Sequence, residues 1–450
     1  MEADAFPRAT ARSRAAFERA ERWIAGGTNL GGASPDHPPL FIERGEGCFV
    51  FDVDGNRYID FINSSFALPF GHAFAPVREA VARQLEKGTF FTAPTECEAR
   101  LAELLCQRVP GIERLKFCSS GSEAAMFAVR AARALTGRPR IAKMAGGFHG
   151  TSDSLSTSLG IMSAGVPFAG GSDPEKEAAL GIPAALARDV VLLSFNDERR
   201  CEAAIERQRR ELAAVLVEPV MGAAGMIPAR REFLQFLREI TRRHGILLVF
   251  DEMISLGIAP GGAQEYYGVI PDLTCCGKII GGGLPIGCLG GRAELMEIFD
   301  LRRHRPAVNH GGTFAAHPLA MVAGAAQLEA LTPEVYRRLH ELGDRLRAAL
   351  ADLFETARAP LQVTGVGQLF CYHLNRRPVA SYEAAAREDL AAALRVGGIL
   401  TREGIHQAST SRGSVSTGMG AGELLTYVEA MATAIGELGL AGAARASGGA

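Results

Sequence analysis

The fold is decided by residues 212–253, which read LAAVLVEPVMGAAGMIPARREFLQFLREITRRHGILLVFDEM. Two short and almost wholly apolar runs, LAAVLV and ILLVF, flank the segment REFLQFLREITRRHG, whose apolar residues recur at helical spacing. Each run has the composition of a strand that is buried on both faces, as in a parallel sheet covered by helices. Each run also ends at an acid, Glu218 in the first case and Asp251 in the second.

The same alternation continues outward from this stretch. Strand-like RLKFCSS, RIAKMAGG and DVVLLSF alternate with amphipathic segments such as EAAMFAVRAARALTG. We therefore predict an α/β fold with a mostly parallel sheet flanked by helices. We place a large domain at residues 61–315 and a smaller C-terminal domain at 316–440. Residues 1–60 are expected to join the smaller domain, and 441–450 are expected to be a disordered tail.

Composition narrows the class of protein. The chain has 450 residues, is 47% hydrophobic and carries a formal net charge of −2 with acids and bases mixed throughout, which gives little support to nucleic-acid binding. No long apolar run predicts a membrane span, and the N-terminus lacks the apolar core of a secretory signal. The 9 cysteines show no metal-ligand spacing, so we expect no metal site, and scattered thiols are typical of a cytoplasmic protein.

Two small-residue motifs suggest ligand contacts. SSGSEAA, at residues 119–125, lies between a strand-like and a helix-like segment, where exposed N–H groups of Ser120, Gly121 and Ser122 could bind a phosphate dianion. The alternative is an ordinary helix N-cap. In GGFHG, at 146–150, Phe148 could stack on a planar heteroaromatic ring and His149 could donate a hydrogen bond near it. The alternative is a core phenylalanine beside a turn histidine.

Three charged residues fit the same kind of ligand. Glu218 and Asp251 end apolar strands, where ligands of open α/β sheets bind, and a desolvated carboxylate there needs a cationic partner such as a protonated ring nitrogen. Lys278, in CCGKIIGGGLPIG, lies among glycine and apolar residues, which lower an amine pKa and favour the neutral nucleophile that condenses with aldehydes. The alternatives are a salt-bridge acid and a surface lysine.

Together these motifs resemble the class III, fold-type I pyridoxal-phosphate aminotransferases, and most closely the glutamate-1-semialdehyde 2,1-aminomutase branch. The resemblance runs from about residue 22 to 435 and rests on motifs in the family's order, above all GGAQEYYGVIPDLTCCGKIIGGGLPIGCLGGR at 261–292. It implies a seven-stranded, mostly parallel sheet, a smaller α+β domain built from both termini, and a homodimer with active sites at the interface.

The resemblance also assigns roles to single residues. Lys278 matches the Schiff-base lysine and Asp251 the partner of the pyridine nitrogen. Phe148 stands where a stacking aromatic is usual, and Met253 replaces a valine on the other ring face. The remaining matches are the phosphate loop with Gly121 and Ser122, and Thr313, which would reach the phosphate of the neighbouring subunit's cofactor.

The departures from the family lie at the substrate end. The region 26–39, GGTNLGGASPDHPP, lacks the arginine with which aminomutases grip the substrate carboxylate, and DEMISLGIAP lacks the arginine of DEVxTGFR. Ala223 replaces an asparagine, and Ser65 stands near an expected tryptophan. A glutamate of the aminomutases falls at Arg412, which could be a new carboxylate anchor or a solvated surface charge.

We therefore predict an aminotransferase that moves an amino group from a donor to the aldehyde or ketone of a non-standard acceptor. The acceptor would be a specialised metabolite, an amino sugar or a compound of the β- or ω-amino acid type, with Ser65 and Arg412 as candidate substrate contacts. The alternative is an aminomutase that moves the amino group within one molecule. A decarboxylase, a racemase and a non-catalytic cofactor-binding protein have less support.

Overall fold

The computed structural model describes residues 10–29, 39–159, 174–176, 178–303, 307–408 and 411–442. Within them the strands are β1 (Ile42–Glu46), β2 (Phe49–Asp52), β3 (Arg57–Asp60), β4 (Arg114–Cys118), β5 (Arg140–Met144), β6 (Val190–Leu193), β7 (Leu212–Val217), β8 (Val220–Met221), β9 (Ile227–Pro228), β10 (Leu247–Asp251), β11 (Leu273–Gly277), β12 (Gly287–Gly291), β13 (Gln362–Thr364), β14 (Leu369–His373), β15 (Ile405–His406) and β16 (Arg412–Ser414).

The helices are α1 (Ala11–Glu21), α2 (Asn63–Phe66), α3 (Ala75–Leu85), α4 (Glu96–Arg108), α5 (Gly121–Thr136), α6 (Ala184–Arg188), α7 (Glu198–Gln208), α8 (Arg231–His244), α9 (Gly262–Tyr267), α10 (Ala293–Met296), α11 (Pro318–Ala330), α12 (Pro333–Thr356), α13 (Tyr382–Ala385), α14 (Leu390–Arg402) and α15 (Ala421–Glu437). Short 3₁₀ turns are Asp153–Leu155, Ser255–Ile258, Lys278–Gly281 and Glu297–Phe299.

The central sheet has seven strands in the order β4-β12-β11-β10-β7-β5-β6. The five strands from β11 to β6 are parallel, whereas β12 runs antiparallel to both of its neighbours. The predicted mostly parallel seven-stranded sheet is therefore confirmed. All six residues of β7 are buried, as expected for a strand covered on both faces.

Helix α8 shows why the sequence folds locally as it does. Its inward face carries Phe233, Leu234, Leu237 and Ile240 at helical spacing, and all four are buried. The helix ends at Gly245, which takes the left-handed conformation that glycine adopts without a steric penalty. The chain can therefore turn directly into β10, which pairs with β7.

Of two smaller sheets, the first contains strands from both ends of the chain and the second contains C-terminal strands alone. Strands β1, β2 and β3 form an antiparallel meander, in which the predicted Asp-Gly turn joins β2 to β3, and β15 pairs with β3. Strands β13, β14 and β16 form a second antiparallel sheet. The domain boundaries at residues 60 and 315 stay predictions. Most of the early glycine-rich segment and, from residue 443, the predicted tail lie outside the described residues.

Helix α2 is a single turn with unusual backbone angles. Asn63, Ser64, Ser65 and Phe66 have φ values of 45°, 52°, 57° and 75°, so four consecutive residues other than glycine are left-handed. Such a conformation costs about 1–2 kcal/mol per residue. The rest of the fold must therefore hold this turn in place.

Among the described residues, no helix is both long and apolar enough to cross a membrane.

Candidate active site

Three charged side chains meet at one edge of the central sheet. Asp251 is the last residue of β10, Glu218 follows β7, and Lys278 follows β11, and these three strands are adjacent and parallel. The carboxyl ends of neighbouring parallel strands share an edge, which is where open α/β sheets bind ligands. Both carboxylates are buried, with 4% of Asp251 and 6% of Glu218 exposed.

The Lys278 amine has the environment of a nucleophile. Burial lowers the pKa of Lys278, and the nearby Arg412 charge acts in the same direction, while Asp251 and Glu218 oppose the shift. Asp251, Glu218 and Arg412 are thus the charged groups that act on this amine. Lys278 also has a left-handed φ of 50°, at the start of the 3₁₀ turn that follows β11.

Asp251 is held in one orientation by two donors. Its Oδ2 lies 2.8 Å from Nδ1 of His149, and its Oδ1 accepts a hydrogen bond from the backbone N–H of Met253 at 3.1 Å. His149 is almost fully buried, and its Nε2 has no hydrogen-bond partner among the described residues. The carboxylate is thus fixed where it could face a cationic ring nitrogen.

Glu218 joins the strand edge to the GGFHG segment. Its two carboxylate oxygens accept hydrogen bonds from the backbone N–H groups of Phe148, at 2.9 Å, and Gly222, at 3.0 Å. Burial raises the pKa of Glu218, and His149 partly offsets this shift. Phe148 is 41% exposed in the single chain, so its side chain is accessible for stacking on a ligand.

The predicted phosphate loop begins α5. Ser120 is the N-cap and accepts a hydrogen bond from the Glu123 N–H at 3.2 Å, while the Glu123 carboxylate accepts one from the Ser119 N–H at 2.6 Å. The motif is therefore an N-cap, as the alternative expected. It nevertheless leaves the first-turn N–H groups of Gly121 and Ser122 without partners inside the helix, which is the arrangement that binds anions.

The side chain of Met253 leaves no room for a Cβ atom at two glycine positions beside this loop. A Cβ atom on Gly121 would lie 2.7 Å from the Met253 sulfur, and one on Gly277 would lie 2.5 Å from it. Neither contact is possible without rearrangement. Met253 thus packs between the start of the phosphate loop and the lysine turn.

A buried lysine that no sequence motif predicted also shapes this site. Lys143, in β5, is fully buried, and its Nζ donates to the carbonyl oxygens of Gly147 at 2.7 Å and Thr157 at 2.5 Å. It thereby ties the residue before Phe148 to a neighbouring loop. The strand RIAKM carries no pattern that would have predicted this role.

The remaining candidates lie around the same edge. Arg412 begins β16, is half-buried, and interacts electrostatically with Glu218 and Lys278; burial lowers the pKa of its guanidinium. Ser65 is exposed in the left-handed turn, and Thr313 is exposed next to Gly312. A Cβ on Gly312 would lie 3.7 Å from Glu123, so this segment passes close to the phosphate loop of its own chain.

A third buried acid lies beside the site, and its titration gives a prediction. Glu252 accepts hydrogen bonds from Ala263 N–H at 2.6 Å and from the Ser255 hydroxyl at 3.1 Å. Burial raises its pKa from 4.5 to about 7. Between these values the folded protein binds a proton that the unfolded chain does not, so this group makes the folded state less stable as pH rises from about 4.5 to 7.

We expect Glu252→Gln to remove this dependence. Over that pH window the unfolding free energy of the wild-type protein should fall by up to about 3 kcal/mol more than that of the variant. Chemical denaturation at several pH values measures both. Glu232→Gln, at an exposed position of α8, is the control and should leave the slope unchanged. Parallel pH profiles for the wild-type protein and Glu252→Gln would refute the assignment.

The sheet order and the lysine turn after β11 define an α/β enzyme of fold-type I. The chain matches the family model Aminotransferase class-III over residues 31–410, and it belongs to that family.

Relatives carry two kinds of name. The chain is 41% identical to Glutamate-1-semialdehyde 2,1-aminomutase 1 of Macrococcus caseolyticus over 385 residues, which is 84% of this chain and 87% of that protein. It is similar to the crystal structure of an omega-transaminase from Sphaerobacter thermophilus, with 44% identity, a TM-score of 0.88, and coverage of 96% of this chain and 98% of that one.

A solved beta-phenylalanine aminotransferase from Variovorax paradoxus has 36% identity and a TM-score of 0.85, with 95% and 94% of the two chains covered. The predicted resemblance to class III aminotransferases, including the aminomutase branch, is confirmed by these comparisons.

The cofactor of this family is pyridoxal 5′-phosphate. The site fits it on three observations. The first is a lysine whose amine pKa is lowered. The second is the buried Asp251–His149 pair, whose histidine Nε2 has no hydrogen-bond partner in the described part of the chain. The third is a helix N-terminus without a side chain at Gly121, where a phosphate can approach the backbone.

Proposed function

We propose that this protein is a pyridoxal-phosphate-dependent transaminase for amino acids of the β or ω type, and that Arg412 binds their carboxylate. The position of Arg412 carries this proposal. Its guanidinium acts electrostatically on Lys278 and on Glu218, so an anion bound by Arg412 would lie near the reacting amine. Arginine suits this role because its planar fork binds a carboxylate through two parallel hydrogen bonds.

The family resemblance and the geometry of the site together support a role for each residue at the cofactor. Lys278 would hold the aldehyde, Asp251 would face the ring nitrogen, and Phe148 and Met253 would lie against the two ring faces. The N–H groups of Ser120, Gly121 and Ser122 would bind the phosphate. Glu218 and His149 position these groups through their hydrogen bonds to Phe148 and Asp251.

When bound, the cofactor supplies a protonated ring that accepts electrons from the substrate carbon. The protein's part is proton transfer and charge. Lys278 would be the base that takes the proton from the amine-bearing carbon of the substrate and would then deliver it to the cofactor side of the amine, because its lowered pKa keeps a larger share of the lysine amine neutral. Asp251 keeps the ring nitrogen protonated, since its buried negative charge favours a cation beside it.

The arginine-free early segment supports a relocated carboxylate contact. Residues 26–39 contain no arginine, so the carboxylate contact of the aminomutases is missing there. Arg412, which acts electrostatically on Lys278 and Glu218, provides a cation from another part of the chain. The omega-transaminase and the beta-phenylalanine aminotransferase, at 44% and 36% identity, support a substrate whose amino group is distant from its carboxylate.

A second candidate function is the aminomutase. The relative with 41% identity bears that name, and this supports intramolecular amino transfer. Incubation with glutamate-1-semialdehyde alone separates the two functions. A mutase converts the semialdehyde without any amino donor, whereas the proposed transaminase turns over only when a donor and an acceptor are both supplied.

Arg412→Ala tests the carboxylate contact. We expect kcat/KM for 3-amino-3-phenylpropanoate to fall about 100-fold, mostly through KM, because a charge-assisted hydrogen-bonded pair contributes about 1.5–3 kcal/mol. The matched substrate 1-phenylpropylamine lacks the carboxylate and should be little affected. Arg83→Ala, on the exposed face of α3, is the control. Equal losses for acid and amine would contradict the proposed contact.

We further propose a cytoplasmic homodimer in which Thr313 reaches the cofactor phosphate of the neighbouring subunit. The exposure of Thr313 and its neighbours supports this arrangement, because a threonine beside the phosphate loop is accessible to a second chain.

A further inference from the structure

The left-handed turn α2 lies between the two groups that the proposed function requires. Its first residue, Asn63, contacts β16, the strand that begins at Arg412. Its far end contacts the segment that begins at Lys278, through a bridging side chain. The turn therefore connects the carboxylate-binding arginine to the reacting lysine.

Asn63 fastens the first end of the turn. Its side-chain amide donates hydrogen bonds to the backbone carbonyl of Ser414, at 2.9 Å, and to the Ser414 hydroxyl, at 3.1 Å, and both residues are buried. The Ser414 N–H also donates to the Phe61 carbonyl at 2.6 Å. Since side chains two residues apart in a strand share a face, Arg412 projects from the same face that Ser414 presents to Asn63.

Gln327 fastens the other end. It lies in α11, is 1% exposed, and its side-chain amide donates both to the carbonyl of Ala67, at 2.9 Å, and to that of Ile279, at 2.6 Å. Ala67 follows the left-handed turn, and Ile279 follows Lys278. One buried amide thus joins the end of the turn to the lysine segment.

We propose that this doubly fastened turn fixes the distance between Arg412 and Lys278, and that it thereby selects amino acids by the number of carbons between carboxylate and amine-bearing carbon. Asn63 and Gln327 are positioning residues in this account. The inference rests on the proposed function, because the distance matters only if Arg412 binds the substrate carboxylate.

The backbone conformation supports a role beyond packing. Four left-handed residues without a glycine persist only where the surroundings over-determine them, and such strain is concentrated at functional sites. Asparagine is among the residues that best tolerate this conformation. A strained turn with both ends fastened cannot shift gradually, so a carboxylate at Arg412 is presented at one fixed distance from Lys278.

The isomers 2-, 3- and 4-aminobutanoate measure this selection, because they differ only in where the amine lies relative to the carboxylate. In the holoenzyme variant Asn63→Gly the turn can stay left-handed while the donor is lost. We expect the kcat/KM ratio between the best and the second-best isomer to fall about tenfold. 2-Aminobutane, which has no carboxylate, should keep its kcat/KM within about twofold.

Gln327→Met is the second variant and should lower the same ratio from the other end. Gln264→Ala is the matched control, because Gln264 is an equally buried amide that bonds Gly111 and Thr274 at a distance from the turn. It should lower the melting temperature without changing the ratio.

The outcomes separate the two proposals. Suppose that Arg412→Ala lowers kcat/KM for amino acids and not for amines, but that neither Asn63→Gly nor Gln327→Met changes the isomer ratio. The turn is then structural, and this inference is overturned while the proposed function stands. If Arg412→Ala affects acids and amines equally, the proposed function is overturned and this inference with it. A lowered ratio in both variants and an unchanged ratio in Gln264→Ala supports the inference.

Discussion

Replacement of Lys278 by alanine is expected to abolish turnover and the visible absorbance of the bound cofactor. The loss should reach at least about 10⁴-fold in kcat, because in the proposed mechanism one side chain serves both as the covalent attachment and as the proton carrier. The structure supports this expectation, since Lys278 follows β11 at the sheet edge where the neighbouring strand ends at Asp251. Steady-state kinetics and an absorbance spectrum of the purified variant make the measurement.

The control for this variant is Lys87→Ala, which changes an exposed lysine just after α3. It should retain both the spectrum and the activity of the wild-type protein. A Lys278→Ala protein that turned over at the wild-type rate would show that the amine at this position has no part in the chemistry.

Asp251→Asn is expected to give the second-largest loss, about 10²–10³-fold in kcat, as for removal of one preorganised electrostatic contact. The substitution keeps the shape of the side chain but removes its charge. The new NH₂ group is itself a donor, and it would face another donor, either the His149 ring or the Met253 N–H. The ring nitrogen of the cofactor would then lose the anion that keeps it protonated.

The same variant has a second expected result. The Asp251 charge raises the pKa of Lys278 against the lowering by burial, so its removal should lower that pKa further. The lysine of Asp251→Asn should therefore react with an added amine-selective reagent at a lower pH than in the wild-type apoprotein. An Asp272→Asn variant, in which the acid bonds Arg238 near the opposite end of β10, is the control. Unchanged kcat in Asp251→Asn would be incompatible with the assigned role.

The central part of the fold could be predicted because its strands are buried on both faces. A strand such as β7 must be apolar at every position, so LAAVLV identifies it without any structural information. The acids that end such strands are conspicuous for the same reason, and Glu218 and Asp251 do lie at one sheet edge. Lys278 could be predicted because it interrupts a run of glycine and apolar residues.

The antiparallel direction of β12 could not be predicted in this way. Its sequence, GCLGG, has neither the β-branched residues nor the apolar length of a strand, and it pairs with both β4 and β11. The glycines allow close approach instead: a Cβ on Gly287 would lie 2.0 Å from the Ser120 carbonyl oxygen. Tertiary contacts, rather than local propensity, place this strand.

The polar side chains that fasten the site were also missed. Asn63 and Gln327 donate to backbone carbonyls that are distant in the sequence, and Lys143 donates to carbonyls of the loop that follows its own strand. Such bonds leave no periodic pattern. The left-handed turn at 63–66 contains no glycine, which is the usual signal for positive φ. Ser65 could be predicted as a candidate substrate contact only through the family resemblance.

Identification of the lysine that carries the cofactor tests the central claim most directly. The holoenzyme would be treated with borohydride, digested, and analysed by mass spectrometry for a phosphopyridoxyl group. We predict the label on the peptide that contains Lys278, and its loss in Lys278→Ala. A label on Lys143 or on any other lysine, with Lys278 unmodified, would contradict the account.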